Sequence, residues 1–154
     1  MRTILILCAM LASVGASAAD PAYDESADAR LQIRQALAEA STTHVPVLVV
    51  FGANWCADCK ILDMAMKSGT SASLVGRDFK VVKVDVGRFD RNVDVAEAYG
   101  VPLKKGIPAI VVLSPKNDVL YATRSGELAD AREMGERGIH DFLERLAAQA
   151  TPKS

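Results

Sequence analysis

The sequence predicts an α/β fold, a central mixed sheet of about four strands flanked by helices. Three observations carry this. Val47–Phe51 and Ala109–Leu113 are unbroken apolar runs rich in β-branched residues, the signature of strands buried on both faces. The segments around them repeat their apolar residues at helical spacing. The chain has 154 residues, 50% hydrophobic and 24% charged, enough to bury one core and too apolar for a disordered chain.

The elements follow in order. Ser26 to Ala40 reads as a helix capped by Ser26, with Ala29, Ile33, Ala36, Leu37 and Ala40 on one stripe. His44 to Pro46 breaks it, and Val47–Phe51 is the first strand. Gly52 to Trp55 turns the chain into a second helix that starts at Cys56 and runs through Lys60, Leu62 and Met66 towards Gly69. The Ser- and Gly-rich stretch from Ser68 to Ser73 reads as a connection, and Phe79–Val86 as the second strand. Val93, Ala96 and Tyr99 have helical spacing, with Gly100 placed to end that helix. After the third strand, Ser114 to Asp118 has turn chemistry and Val119–Thr123 returns as a fourth strand, antiparallel. Ile139, Phe142, Leu143, Leu146, Ala147 and Ala150 form the apolar face of a last helix. No repeat or interdomain linker interrupts residues 19–154, which are expected to form one domain.

Charge and cysteine count narrow the function. A formal net charge of -1 gives no general attraction to nucleic acid or to an anionic membrane. The N-terminus has a basic Arg2, an apolar run from Thr3 to Ala12 and a small-residue site ending Ala16-Ser17-Ala18, the pattern of a secretory signal peptide over residues 1–18. Cleavage is expected after Ala18, with Ala19 the alternative. The apolar run falls short of the ~20 residues that span a bilayer, and Leu7 is too large for a lipid-anchor site at Cys8. Processing removes Cys8 and leaves 17 basic against 19 acidic residues. It also leaves two cysteines, Cys56 and Cys59, in an exported protein, where disulfides persist.

Those two form Trp55-Cys56-Ala57-Asp58-Cys59-Lys60, where a central strand hands over to a helix. One helical turn brings the thiols within bonding distance, and the helix N-terminus stabilises a thiolate on the first. Cys56 is expected to be the exposed nucleophile and Cys59 the deeper, resolving thiol. Lys60 favours the thiolate of Cys56 and Asp58 opposes it. Three other readings stand beside this one. Structural zinc needs four ligands, and only His44 and His140 accompany the pair. Covalent haem attachment needs histidine where Lys60 stands. An inert structural disulfide stays open, although so short a loop stabilises little by chain entropy.

Phe51-Gly52-Ala53-Asn54-Trp55-Cys56-Ala57-Asp58-Cys59-Lys60 resembles the active-site segment of the thioredoxin superfamily, and Gly106-Ile107-Pro108-Ala109 resembles its cis-proline loop. The resemblance runs from Val47 to the last helix and is greatest to periplasmic thioredoxin-like disulfide reductases or isomerases. It extends to the C-terminal domain of the membrane thiol:disulfide interchange protein. It implies a thioredoxin-like fold with Pro108 cis against the Cys56 sulfur, and a docking surface of Trp55, Gly106, Ile107 and Gly126, where the Ile107 backbone pairs with a peptide. Ala57, Asp58, Lys60 and Lys83 would tune the redox pair; Lys83 matches a lysine beneath it in thioredoxins, but could equally face solvent. Two departures matter. Val50 stands where thioredoxins bury an aspartate, so Cys59 must lose its proton by another route, through water or Asp58, or resolve more slowly. The loop Val101-Pro102-Leu103-Lys104-Lys105 is longer, and sets two lysines beside the docking edge.

The reading that results is a periplasmic thiol-disulfide oxidoreductase acting as a reductant, a monomer without metal or cofactor. Its partners would be protein disulfides and an upstream donor such as a membrane interchange protein. A disulfide isomerase or oxidase of the same fold is the alternative, as is a binding module delivering copper or haem to cytochromes.

Overall fold

The computed structural model describes residues 20–150; the expected export segment with Cys8 lies outside them. Four strands form one mixed sheet in the order β2-β1-β3-β4. β1 (Val47–Gly52) pairs in parallel with β2 (Lys80–Asp85) and antiparallel with β3 (Ala109–Leu113), and β3 pairs antiparallel with β4 (Val119–Ala122). Both central strands are buried along their whole length, as unbroken apolar runs require.

Alternation along β1 divides the interior in two. Val47, Val49 and Phe51 face α1 (Ala29–Thr43) and α4 (Val93–Ala98), packing with Ile33 and Val95. Leu48 and Val50 face the other layer, with Leu62 of α2 (Ala57–Met66), Leu74 of α3 (Gly69–Asp78) and Leu143 of α5 (Ala131–Ala150). Each large apolar side chain so buried contributes about 1.5–3 kcal/mol of transfer free energy. Among the described residues no helix is long and apolar enough to cross a membrane.

Several expectations are corrected. Ser26 does not cap α1: its amide and hydroxyl both donate to Asp24 Oδ1, at 2.9 and 2.6 Å, in a turn before the helix. Asp28 takes the cap position and accepts from the Leu31 N–H at 3.0 Å. The helix also outruns Ala40 to Thr43, where Ser41, Thr42 and Thr43 hydroxyls bond back to carbonyls of the preceding turn, and His44 closes it at φ 58°. The Ser68–Ser73 stretch is not a loop. It opens α3, because Leu74 and Val75 are buried against α5 and the Ser71 hydroxyl lies 2.9 Å from His140 Nδ1. Tertiary burial overrides weak local helix propensity here. The last helix is broken at Gly135, whose φ of 65° and ψ of 175° are not helical.

Candidate active site

The redox pair sits at the C-terminal end of β1. Cys56 is the N-cap of α2, in an extended conformation, and its Sγ accepts from the Cys59 N–H at 3.1 Å. That places a sulfur, where capping oxygens usually stand, at the positive end of the helix. Cys56 and Cys59 are joined in a disulfide with their Cα atoms 5.2 Å apart. Cys59 is wholly buried, at 0% exposure, and Cys56 keeps 6%. The expected open exposure of Cys56 is therefore corrected to a narrow one: its Sγ lies 3.6 Å from the Ile107 carbonyl, which crowds the sulfur from the facing loop.

That loop runs from a 3-10 turn at Leu103–Lys105 through Gly106 into the Ile107–Pro108 peptide, which is cis. Ile107 and Pro108 are buried, so the Ile107 side chain offers no open docking face. Gly106 adopts φ 120°, and a Cβ there would strike the Ala129 side chain; Gly126, at φ 80°, would strike the Lys105 carbonyl. The two glycines thus let the cis-proline loop and the β4–α5 connection interlock. Lys104 and Lys105 of this loop are exposed.

Trp55 is 48% exposed beside the pair. Its Nε1–H donates to the Gly87 carbonyl at 2.8 Å, Phe89 meets its ring edge-on at 6.0 Å, and the Arg88 guanidinium lies 5.8 Å from its centroid. Phe89 is itself exposed. Sequence reasoning missed Arg88 and Phe89; an aromatic residue inside the polar run Gly87-Arg88-Phe89-Asp90 was the available signal.

Of the expected tuning residues, Ala57 and Lys60 are exposed on the first turn of α2. Asp58 turns inward to α5: its Oδ1 accepts from the Arg132 N–H at 2.9 Å and from Arg132 Nε at 3.1 Å. Burial works against its charge, but the Arg132 amide and guanidinium outweigh this and hold its carboxyl below the usual range. A carboxylate so held is a poor proton acceptor for Cys59. Asp58→Ala should cost about 1–3 kcal/mol in urea unfolding at pH 7. A depressed carboxyl contributes above its unfolded value of about 3.9 and loses that contribution as pH falls through the folded one. The difference from the parent should therefore shrink below about pH 4.

Lys83 is half-buried and pairs with Asp63 of α2 rather than facing solvent freely. Its desolvation pushes the ammonium pKa down, against the opposing pull of Asp63. Asp63 also accepts from Lys67 at 2.7 Å. Val50 is buried opposite Lys83 in the sheet register, so the lysine finds its carboxylate on the helix instead of on β1.

The strand–turn–helix placement of the pair and the cis-proline facing it match a known architecture. The family model described as thioredoxin-like matches residues 28–115. The chain belongs to the thioredoxin-like family. It is similar to a crystal structure titled disulphide isomerase from Xylella fastidiosa Temecula1, with 48% identity and a TM-score of 0.81, over 84% of this chain and 98% of that one. A thioredoxin from Thermus thermophilus matches at 21% identity and TM-score 0.54, over 76% and 85% of the two chains. The reduced DsbD C-terminal domain from Neisseria meningitidis matches at 18% and 0.51, over 75% and 95%. These last two show the shared fold alone. No curated protein sequence matches the chain. Within the thioredoxin-like family, this chain is a thiol-disulfide oxidoreductase with a C-x-x-C pair.

Proposed function

We propose that this thioredoxin-like protein is an exported, periplasmic reductant of protein disulfides. The observation that carries the direction is Asp58, an ionised carboxylate in the first turn of α2, two residues from Cys56. A thiolate on Cys56 gains the helix dipole and the Cys59 N–H, and is opposed by that carboxylate, whose charge Arg132 offsets in part. A weakly stabilised thiolate means a dithiol that gives up its electrons readily, and so a low reduction potential. The N-terminal export pattern supports the compartment.

In this reading the Cys56 thiolate attacks a substrate disulfide and forms a mixed disulfide, while the substrate strand lies along the Ile107 backbone. Pro108 has no N–H to donate near the sulfur. Cys59 then attacks Cys56, releases the reduced substrate and leaves the Cys56–Cys59 disulfide, which a membrane donor of electrons must reopen.

The midpoint potential of the pair in dithiothreitol or glutathione buffers tests the direction. A value near about -270 mV is expected, and one near about -120 mV would make the protein an oxidant. Isomerase activity is the second reading, favoured by the 48% identity to a structure titled disulphide isomerase. A potential near about -180 mV, with reactivation of scrambled ribonuclease, would establish it instead.

A further inference from the structure

Tyr23 lies outside the residues that the family model matches, yet only 1% of its surface is exposed. Asn54, two residues before Cys56, clamps it: Asn54 Oδ1 accepts from the Tyr23 N–H and Asn54 Nδ2 donates to the Tyr23 carbonyl, both at 2.9 Å. The ring runs under the end of β1 to Gly52. A Cβ on Gly52 would collide with the Tyr23 hydroxyl and would stand 2.9 Å from Cys59 Sγ. The hydroxyl and the resolving sulfur therefore flank the same small volume, which is open to both because residue 52 is glycine.

The charged groups around this end of the sheet are already paired. Asp63 holds Lys83 and Lys67, Asp85 of β2 holds Arg91 at 3.2 Å, and Asp58 holds Arg132 at 3.1 Å. Each of these carboxylates is held by a basic side chain, and the buried Val50 of β1 brings no further acid to this face of the sheet. Tyr23 is the neutral donor left beside the sulfur. Its burial, with Asp63 and Asp85 nearby, raises its own pKa and keeps it protonated.

We propose that the Tyr23 hydroxyl donates a hydrogen bond to the Cys59 thiolate as it forms, and thereby sets the pH dependence of the resolving step. The inference rests on the oxidoreductase reading of Cys56 and Cys59. The Cys59 thiol loses its proton through solvent, and its electron pair forms the bond to Cys56 Sγ as the bond between Cys56 and the substrate sulfur breaks. The leaving substrate thiolate takes up the proton. Two electrons pass from the dithiol to the substrate.

Reaction of the reduced protein with a bis(nitrobenzoate) disulfide, whose thiolate is coloured, separates the steps. Attack by Cys56 releases one coloured thiolate at a rate that depends on reagent concentration, and resolution by Cys59 releases the second at a rate that does not. Tyr23→Phe keeps the ring and removes the donor. Loss of one hydrogen bond to a charged group should raise the Cys59 pKa by about one unit. The thiolate fraction then falls about tenfold at neutral pH, but a more basic thiolate attacks about threefold faster. The second phase should therefore be about threefold slower at pH 7, break about one unit higher in its pH profile, and plateau about threefold faster above the break. The first phase should be unchanged.

A fluorinated tyrosine at position 23, a stronger donor of nearly the same shape, should move the break downward. A second phase with the parent's rate and break in both variants overturns the role of Tyr23. Absence of a first phase in the parent would overturn the oxidoreductase reading itself.

Discussion

Cys56→Ser should abolish the reduction of insulin disulfides in the presence of dithiothreitol, whereas Cys59→Ser should stop after the first step and accumulate a mixed disulfide through Cys56. The order comes from burial and position. Cys59 has no accessible surface, and a substrate sulfur approaching in line can reach only Cys56, which keeps a narrow opening beside the Ile107 carbonyl. Cys56 is also the sulfur at the α2 N-terminus, where a negative charge is stabilised. Non-reducing mass analysis of Cys59→Ser reads the adduct directly. Full activity in Cys56→Ser, or an adduct carried on Cys59 of that variant, would reverse the assignment.

Gly126→Ala is expected to lower stability by about 2–3 kcal/mol and to reduce insulin reduction several-fold. Two costs combine. A φ of 80° strains any residue with a Cβ, by roughly 1–2 kcal/mol. The added methyl also meets the Lys105 carbonyl, a backbone atom that can give way only by shifting the loop that carries Ile107 and Pro108. Gly135→Ala separates the two costs, since its φ is 65° and nothing lies within 4 Å of its missing Cβ. That variant should lose about 1–3 kcal/mol from backbone strain alone and keep full activity. Urea unfolding and the insulin assay read both. Equal losses of activity in the two variants would mean that the interlock of the two loops does not position the cis-proline.

The comparison of α2 with α3 shows how far the sequence could be read. The pair at the start of α2 follows a strand of five apolar residues and a glycine turn, so its place at a strand–helix junction is written in adjacent residues. In α3 the local signal is Gly, Ser and Thr, which say loop, and the helix exists because Leu74 and Val75 meet α5, whose apolar face begins more than sixty residues later. No window along the chain contains both partners. The misplaced cap of α1 has a milder cause, as Ser26 and Asp28 are both competent and the Asp24 turn decides between them.

The site divides in the same way. The β-strands, the redox pair and the loop containing Ile107 and Pro108 can be read from adjacent residues, because periodicity, turn chemistry and short spacing are local properties. Tertiary structure alone decided which charges offset one another and what stands behind the buried sulfur. Asp58 meets Arg132, Lys83 meets Asp63, and Tyr23 meets the space beside Gly52 and Cys59 only once the sheet has assembled. Pairing through space depends on where the sheet carries each residue, and residues distant along the chain carry no mark of the partner they will meet.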